Sequence, residues 1–157
     1  MSPAPERPAL QPAVQAVQSE AIRFARLKSG THIAWAASGR GPTLVRVAHW
    51  MTHVEQDPQS PLWGPWLARL NSALRLVRYD ERGCGLSGAD SAELGLAAAL
   101  DELEAVIDAA AESTGHGQVA LLGMSGAGAP AIAYAARHPE RVSHLVLHGA
   151  YACGLLH

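Results

Sequence analysis

Apolar and polar positions along the chain change period several times, and each change marks the boundary of a predicted element. Residues 22–27 alternate between apolar and polar side chains, residues 32–37 alternate again, and Ser29-Gly30 lies between them. This combination is typical of two antiparallel strands joined by a turn. The pattern therefore predicts an N-terminal β-hairpin.

Beyond the hairpin, short apolar runs alternate with longer stretches of helical period. Strands are predicted at residues 44–48, 74–79, 118–124 and 142–148, and helices at residues 60–71, about 90–115 and 126–137. Asp90 and Glu93 have the spacing of a capping box, which places the start of the long middle helix there. Alternating strands and helices are typical of an α/β sheet whose later strands are parallel. We therefore expect an α/β fold with a mostly parallel sheet of about six strands and helices on both faces. The near-continuous apolar run 145–147 is expected to be buried on both sides.

One strand-to-helix junction holds a serine among small residues, in the segment Gly123-Met124-Ser125-Gly126-Ala127-Gly128. A sharp turn of this kind strains its central residue and is tolerated only where the surrounding residues lack bulk. The serine hydroxyl would then be held at the carboxyl end of a strand, beside the first free amides of the next helix. The pattern indicates a nucleophile elbow.

The same glycines permit two other interpretations. Residues 126–131 fit the G-x-G-x-x-A fingerprint of a dinucleotide-binding loop, although no acidic residue ends the following predicted strand. A plain turn without chemistry is the other interpretation. A Walker loop is excluded, because no Lys-Ser or Lys-Thr follows the glycines. The residues around the serine therefore leave three interpretations open: the nucleophile elbow, the dinucleotide-binding loop and the plain turn.

Length and composition fit one domain. The chain has 157 residues, of which 48% are apolar, and this is ample for a core. Residues 1–19 carry four prolines among Ala, Gln and Glu, at Pro3, Pro5, Pro8 and Pro12. Such a composition buries too little surface to order itself. We predict a disordered tail or linker at residues 1–19 and a folded domain at residues 20–157.

Charge and cysteine usage narrow the function classes. A formal net charge of −2 gives no electrostatic footprint for nucleic acid or an anionic membrane. No apolar segment approaches membrane-spanning length, and Cys84 and Cys153 form no C-x-x-C pair. A reducing, cytoplasmic setting is therefore expected. A metal cluster could be drawn from His49, His53, Glu55 and Asp57. Packing of their loop on a cleft is the better explanation of these four residues. No metal and no cofactor is expected.

Three features, in this order along the chain, resemble the α/β-hydrolase superfamily over residues 21–152. They are the loop that begins at His49, the segment Asp80-x-Arg82-Gly83-x-Gly85-x-Ser87, and the segment Gly123-x-Ser125-x-Ala127. The run 33–87, with Trp50 and His53-x-Glu55-x-Asp57, further resembles a bacterial branch found beside or fused to helix-turn-helix regulators and nucleotide cyclases. The resemblance favours the nucleophile elbow over the dinucleotide loop.

The resemblance implies a serine hydrolase mechanism on a small ester-like or thioester-like substrate. Ser125 would attack the carbonyl after a histidine, oriented by an acidic residue, takes its proton. The oxyanion would be held by the Gly126 amide and by a second amide, that of Met51 or Trp50. Trp50 stands where the family has glycine, and its bulk would limit how that loop approaches the substrate. The remaining site residues have structural roles in this interpretation: His49, Asp80 and Arg82 in the loops, and Gly123, Ala127 and Gly128 at the elbow.

The family's catalytic acid and histidine follow the sixth strand, in that order. After Ser125 the sequence has one acidic residue, Glu140, and the histidines His138, His144, His148 and His157. None of these histidines follows a usable acid, so the triad is predicted to be incomplete. We therefore expect the N-terminal portion of a hydrolase domain, or a degenerate relative, that lacks the last strands and any cap and is inactive alone.

Two further expectations follow from this incompleteness. The sixth strand would be a bare edge with its apolar face uncovered, able to aggregate or to pair with another chain. A non-catalytic ligand-binding or regulatory module of the same fold is the alternative function.

Overall fold

In the part of the chain that the structure describes, six strands form one mixed sheet with three helices packed against it. The structure is a computed structural model that describes residues 21–49, 52–90, 94–113, 115 and 117–152. The strands are β1 (Arg23–Arg26), β2 (His32–Ser38), β3 (Thr43–Arg46), β4 (Arg75–Tyr79), β5 (Val119–Met124) and β6 (Val142–His148). The helices are α1 (Trp63–Asn71), α2 (Leu96–Glu112) and α3 (Gly128–Arg137), and 3-10 turns cover Asp57–Gln59 and Ser125–Ala127. No helix in the described ranges is long and apolar enough to cross a membrane.

The strand order is β1-β2-β4-β3-β5-β6. β1 and β2 form the predicted antiparallel hairpin, and β2 also pairs antiparallel with β4. β3, β4, β5 and β6 are parallel to one another. The predicted fold class is confirmed. Because β3, β4, β5 and β6 are parallel, their carboxyl ends lie together at the same end of the strands.

Side chains that alternate along the strands build a core on each face of the sheet. On one face, Val45, Val77 and Leu121 pack with residues of α2 and α3, among them Leu103 and Ala131. On the other face, the neighbouring residues Leu44, Leu76 and Leu122 pack with Leu67 of α1. The helices therefore cover both faces, as the alternation of strands and helices predicts.

The capping prediction for the middle helix was wrong. α2 begins at Leu96, and the Asp90 carboxylate instead accepts hydrogen bonds from the Arg82 guanidinium, at 3.0 Å, and from Thr31 Oγ1. Gly95 occupies the N-cap position of α2, so Asp90 lies too far before the helix to cap it. Glu93, the other half of the predicted box, lies outside the described residues.

β6 differs from its prediction in burial. Its bounds are those expected, but Leu145, Val146 and Leu147 are 38%, 48% and 46% exposed. The run is apolar enough for a buried strand, yet β6 is the last strand of the sheet and pairs with β5 alone. The burial expected from the apolar run was therefore wrong, whereas the expectation of a bare edge with an uncovered apolar face is confirmed within the described residues.

Candidate active site

Ser125 stands directly after β5 in a strained backbone conformation. Its φ is +51°, and among the described residues it is the one non-glycine residue with a positive φ. L-residues pay roughly 1–2 kcal/mol for this conformation. The residue is exposed, and the 3-10 turn Ser125–Ala127 leads from it into α3. The sequence expectation of a strained and accessible serine therefore agrees with the local geometry.

Close packing beneath the turn explains its small residues. A Cβ on Gly123 would lie 2.9 Å from Ala131 Cβ and 3.0 Å from Gly128 Cα. A Cβ on Gly128 would lie 2.5 Å from Ala150 Cβ, and Ala127 is only 2% exposed. Real Cβ atoms do not approach other atoms this closely, so β5 and α3 meet at this distance only because side chains are absent there.

A groove of about 350 Å³ opens beside the serine turn, at the carboxyl ends of β3, β4 and β5. This is the edge of a parallel sheet at which α/β proteins bind their ligands. Residues from all three strand ends and from α2 and α3 line it, among them Ala48, His49, Glu81, Leu96, Gly126 and Pro130. The groove is mostly apolar, and Glu81 and His49 place a carboxylate and an imidazole on its walls.

His49 begins the loop after β3 and is largely buried. Its ring centroid lies 6.5 Å from that of Trp63. Burial lowers the pKa of the imidazole, the positive charge of Arg46 lowers it further, and Asp57 partly opposes both. The His49 carbonyl accepts hydrogen bonds from Thr52 N at 2.8 Å and Thr52 Oγ1 at 2.9 Å. Trp50 and Met51, the predicted second oxyanion donors, lie outside the described residues.

The Asp80 carboxylate joins the loops that follow β3 and β4. Oδ1 accepts the Val54 amide at 2.8 Å, and Oδ2 accepts the Leu86 amide at 2.9 Å. Burial raises the pKa of Asp80, and these two hydrogen bonds act against that rise. Gly85, at φ +51°, is needed here because a Cβ would lie 2.1 Å from Asp80 Oδ2. Both carboxylate oxygens are thus engaged by backbone.

Arg82 ties the same loop to α2. Its Nε lies 3.2 Å from Glu102 Oε1, and its backbone amide donates to Glu102 Oε2 at 3.2 Å. Its Nη1 also donates to Asp90. Burial raises the pKa of Glu102, while Arg82 lowers it. These contacts are of the kind expected from a structural arginine.

Sequence reasoning missed a buried ion pair beneath the loop after β3. Arg46 Nη1 lies 2.9 Å from Asp57 Oδ2, and the Arg46 guanidinium lies 4.5 Å from the Trp63 ring centroid. The sequence pattern places Asp57 in a loose metal cluster and in the segment His53-x-Glu55-x-Asp57, and neither predicts an ion pair with Arg46. The available signal was an arginine inside the apolar run Leu44-Val45-Arg46-Val47, because a buried cation needs a partner. His53 Nδ1 accepts the Glu55 amide at 3.3 Å, and no metal-binding group of three such residues occurs in the described ranges.

The described histidines that follow Ser125 lie at the end of α3 or on β6. The His138 ring lies 4.5 Å from that of Tyr134, and its Nδ1 lies 3.9 Å from Glu140 Oε1. His144 and His148 are exposed on β6. None of these three histidines lines the groove beside the serine turn. His157 lies outside the described residues.

Comparison with known proteins agrees with this geometry. A family model described as alpha/beta hydrolase fold matches residues 57–156. The pyrrolizixenacetamide deacetylase of Xenorhabdus hominickii is 30% identical over 119 residues, which are 76% of this chain and 41% of that protein.

Two solved structures are similar at comparable coverage. An alpha/beta hydrolase from Sphaerobacter thermophilus is 26% identical with a TM-score of 0.64, over 80% of this chain and 44% of that one. The esterase RhEst1 from a Rhodococcus species is 28% identical with a TM-score of 0.65, over 83% of this chain and 46% of that one. The chain thus spans less than half the length of these relatives. Because the matched range includes the serine turn and the parallel strands on both sides of it, the chain belongs to the alpha/beta hydrolase fold family.

Proposed function

We propose that Ser125 is the nucleophile of a serine hydrolase site for small acyl compounds of the ester or thioester type. The observation that carries the proposal is the strained backbone at φ +51° on an exposed serine at the end of β5. Strain of this kind persists where the surrounding structure enforces it, and it is concentrated at functional sites. The names of two similar proteins, a deacetylase and an esterase, support acyl hydrolysis as the reaction class.

The first oxyanion donor in this proposal is the Gly126 amide. Gly126 lines the groove and stands at the beginning of the turn into α3, where backbone amides are not yet used by the helix. A donor in this position would stabilise the charge that develops on the carbonyl oxygen when Ser125 attacks. The amide of Met51 or Trp50 remains the proposed second donor.

We propose that this chain does not supply the general base that would take the proton from Ser125. None of the described histidines after Ser125 lines the groove, and His49, which does line it, belongs to the loop after β3 and lies 6.5 Å from the Trp63 ring, centroid to centroid. A serine hydroxyl is a weak nucleophile without an adjacent base. The site by itself should therefore bind an acyl compound without turning it over.

A non-catalytic ligand-binding module is the second candidate. The open, mostly apolar groove beside a serine without a described base is the observation that favours it. In this case, the groove would bind a small ligand in the same way whether or not Ser125 keeps its hydroxyl.

Hydrolysis of p-nitrophenyl butyrate by the purified chain and by Ser125→Ala tests the proposal. We expect equal rates, because the base is missing, and Ser125-dependent turnover would show that the chain does supply one. Titration with N-butylacetamide, followed by protein NMR, addresses the second candidate. Saturable binding that is identical in both proteins, together with a Ser125 that stays unreactive when a base is added, would favour the module.

A further inference from the structure

Tyr151 follows β6 and lies against the turn that carries Ser125. A Cβ built on Gly126 would be 3.4 Å from the Tyr151 hydroxyl oxygen. Gly126 comes directly after Ser125, lines the groove and is the proposed first oxyanion donor. The tyrosine hydroxyl therefore stands beside the part of the turn at which the carbonyl group of a substrate would be held.

The backbone around Tyr151 is packed against the start of α3. A Cβ on Gly128 would be 3.2 Å from the Tyr151 carbonyl oxygen and 3.3 Å from its amide nitrogen. Shortly before, Gly149 has a φ of +55°, in the left-handed region that glycine adopts readily. This turn directs the chain from the end of β6 back onto the elbow. Close backbone contact with α3 then fixes the position from which the tyrosine side chain extends.

The absence of a side chain on Gly126 leaves room for the tyrosine hydroxyl. A distance of 3.4 Å is an ordinary van der Waals contact for a Cβ, so the hydroxyl occupies space into which a longer side chain at residue 126 would extend. Tyr151 is 50% exposed, so its hydroxyl is not enclosed in the core. The residue after the serine thus contributes only backbone, and a polar group from another element stands beside it.

We propose that the Tyr151 hydroxyl contacts the substrate at this site and donates a hydrogen bond to the carbonyl oxygen of the acyl compound. The inference rests on the function proposed for Ser125 and adds a residue from a separate element to that site. Tyrosine hydroxyls can serve as oxyanion donors beside backbone amides. When Ser125 attacks, negative charge develops on the carbonyl oxygen, and a phenol donor next to the Gly126 amide would stabilise that charge further.

The rate of fluorophosphonate labelling at Ser125, with imidazole present, tests the proposal. The phosphonyl oxygen takes the place of the carbonyl oxygen and should accept the same hydrogen bond. Tyr151→Phe keeps the aromatic ring and removes only the hydroxyl, so we expect labelling to slow about fivefold, the loss expected for one neutral hydrogen bond. A tyrosine that merely packs on the turn would not produce this effect.

Tyr134→Phe is the matched control for the labelling rate. The Tyr134 hydroxyl is buried in the second half of α3, and the residue does not line the groove. Its removal should leave the labelling rate unchanged. Equal rates for the unaltered chain and Tyr151→Phe, or equal slowing by the two substitutions, would overturn the proposal. Circular dichroism verifies that each variant is folded.

Titration with N-butylacetamide, followed by protein NMR, separates a failure of this inference from a failure of the proposed nucleophile. We expect Tyr151→Phe to raise the dissociation constant about fivefold and Tyr134→Phe to leave it unchanged, whether or not Ser125 reacts. A Tyr151-dependent affinity in a chain that never labels would support the contact and reject Ser125 as the nucleophile. Labelling at Ser125 with a rate independent of Tyr151 would reject the tyrosine alone, and equal affinities in a chain that never labels would reject both.

Discussion

At the scale of single residues, the turn at Ser125 depends on the small size of the residues around it. β5 and α3 approach so closely that Gly123 has Ala131 and the Gly128 backbone within about 3 Å of any added Cβ. The chain therefore needs small residues on both sides of the serine to keep its φ at +51°. The motif was recognisable in the sequence for this reason, because close backbone approach restricts residue size over several consecutive positions.

Gly123→Ala should destabilise the protein by about 1–3 kcal/mol, because the added methyl group overpacks the contact between β5 and α3. Urea denaturation measures the effect. Gly117→Ala is the control, since a Cβ there meets nothing within 4 Å, and it should change the free energy of unfolding little. Equal effects of the two substitutions would mean that the elbow is not tightly packed.

His49 should make stability depend on pH in the mildly acidic range. Its pKa in the folded chain lies below the ordinary value of 6.5, chiefly through burial, so the unfolded chain binds more protons there. The contribution of His49 is therefore complete above about pH 6.5 and is lost as the pH falls towards the folded pKa.

His49→Gln should flatten the slope of unfolding free energy against pH between about pH 5 and pH 7. Urea denaturation at several pH values provides the measurement. His32→Gln, which removes an exposed imidazole on β2, is the matched control and should keep the slope of the unaltered chain. A slope that survives in His49→Gln would contradict the assigned cause.

At the scale of elements, buried charges position the loops around the groove. Asp80 joins the loops after β3 and β4, Arg82 joins the second of these to α2, and Arg46 binds Asp57. The last pair holds the 3-10 turn Asp57–Gln59 against β3, beneath the aromatic rings of α1. These contacts link distant parts of the sequence, so spacing alone does not reveal them.

Asp57→Asn should cost about 3–5 kcal/mol, because it leaves the fully buried Arg46 guanidinium without its charged partner. Asp108→Asn is the matched control. Asp108 also pairs with an arginine, Arg141, but its side chain is 54% exposed, and such pairs contribute less than about 1 kcal/mol. Thermal or urea denaturation distinguishes the two. A small loss for Asp57→Asn would mean that Arg46 finds another partner.

The elements themselves were predictable where the pattern was local. β6 was predicted with its observed bounds because an apolar run with clear ends defines a strand. The start of α2 was not predicted correctly, because the Asp90 side chain binds Arg82 and Thr31 from other loops and does not cap the helix. The apolar content of β6 alone predicts burial, because such content indicates a preference and does not supply a covering element. Its exposure was predictable only from the number of strands, since six predicted strands leave the sixth at the edge of the sheet.

At the scale of the whole molecule, the fold and the family are established, and several expectations remain predictions. The fold class follows from the sheet order, and the family from the match over residues 57–156. The cytoplasmic setting, the small-molecule substrate, the absence of a nucleic-acid partner and the likeness to regulator-linked hydrolases remain predictions from composition and motif. The predicted tail, residues 1–19, lies outside the described residues.

Covalent labelling of Ser125 with a fluorophosphonate tests the central claim most directly. Intact mass and peptide mapping would be recorded with and without imidazole in the buffer, with Ser125→Ala as the control. We expect little adduct without imidazole and an adduct at Ser125 with it, because the added base would supply the proton acceptor that, by our proposal, the chain does not provide. Equally fast labelling without imidazole would contradict the missing base, and failure to label Ser125 in either buffer would contradict its assignment as the nucleophile.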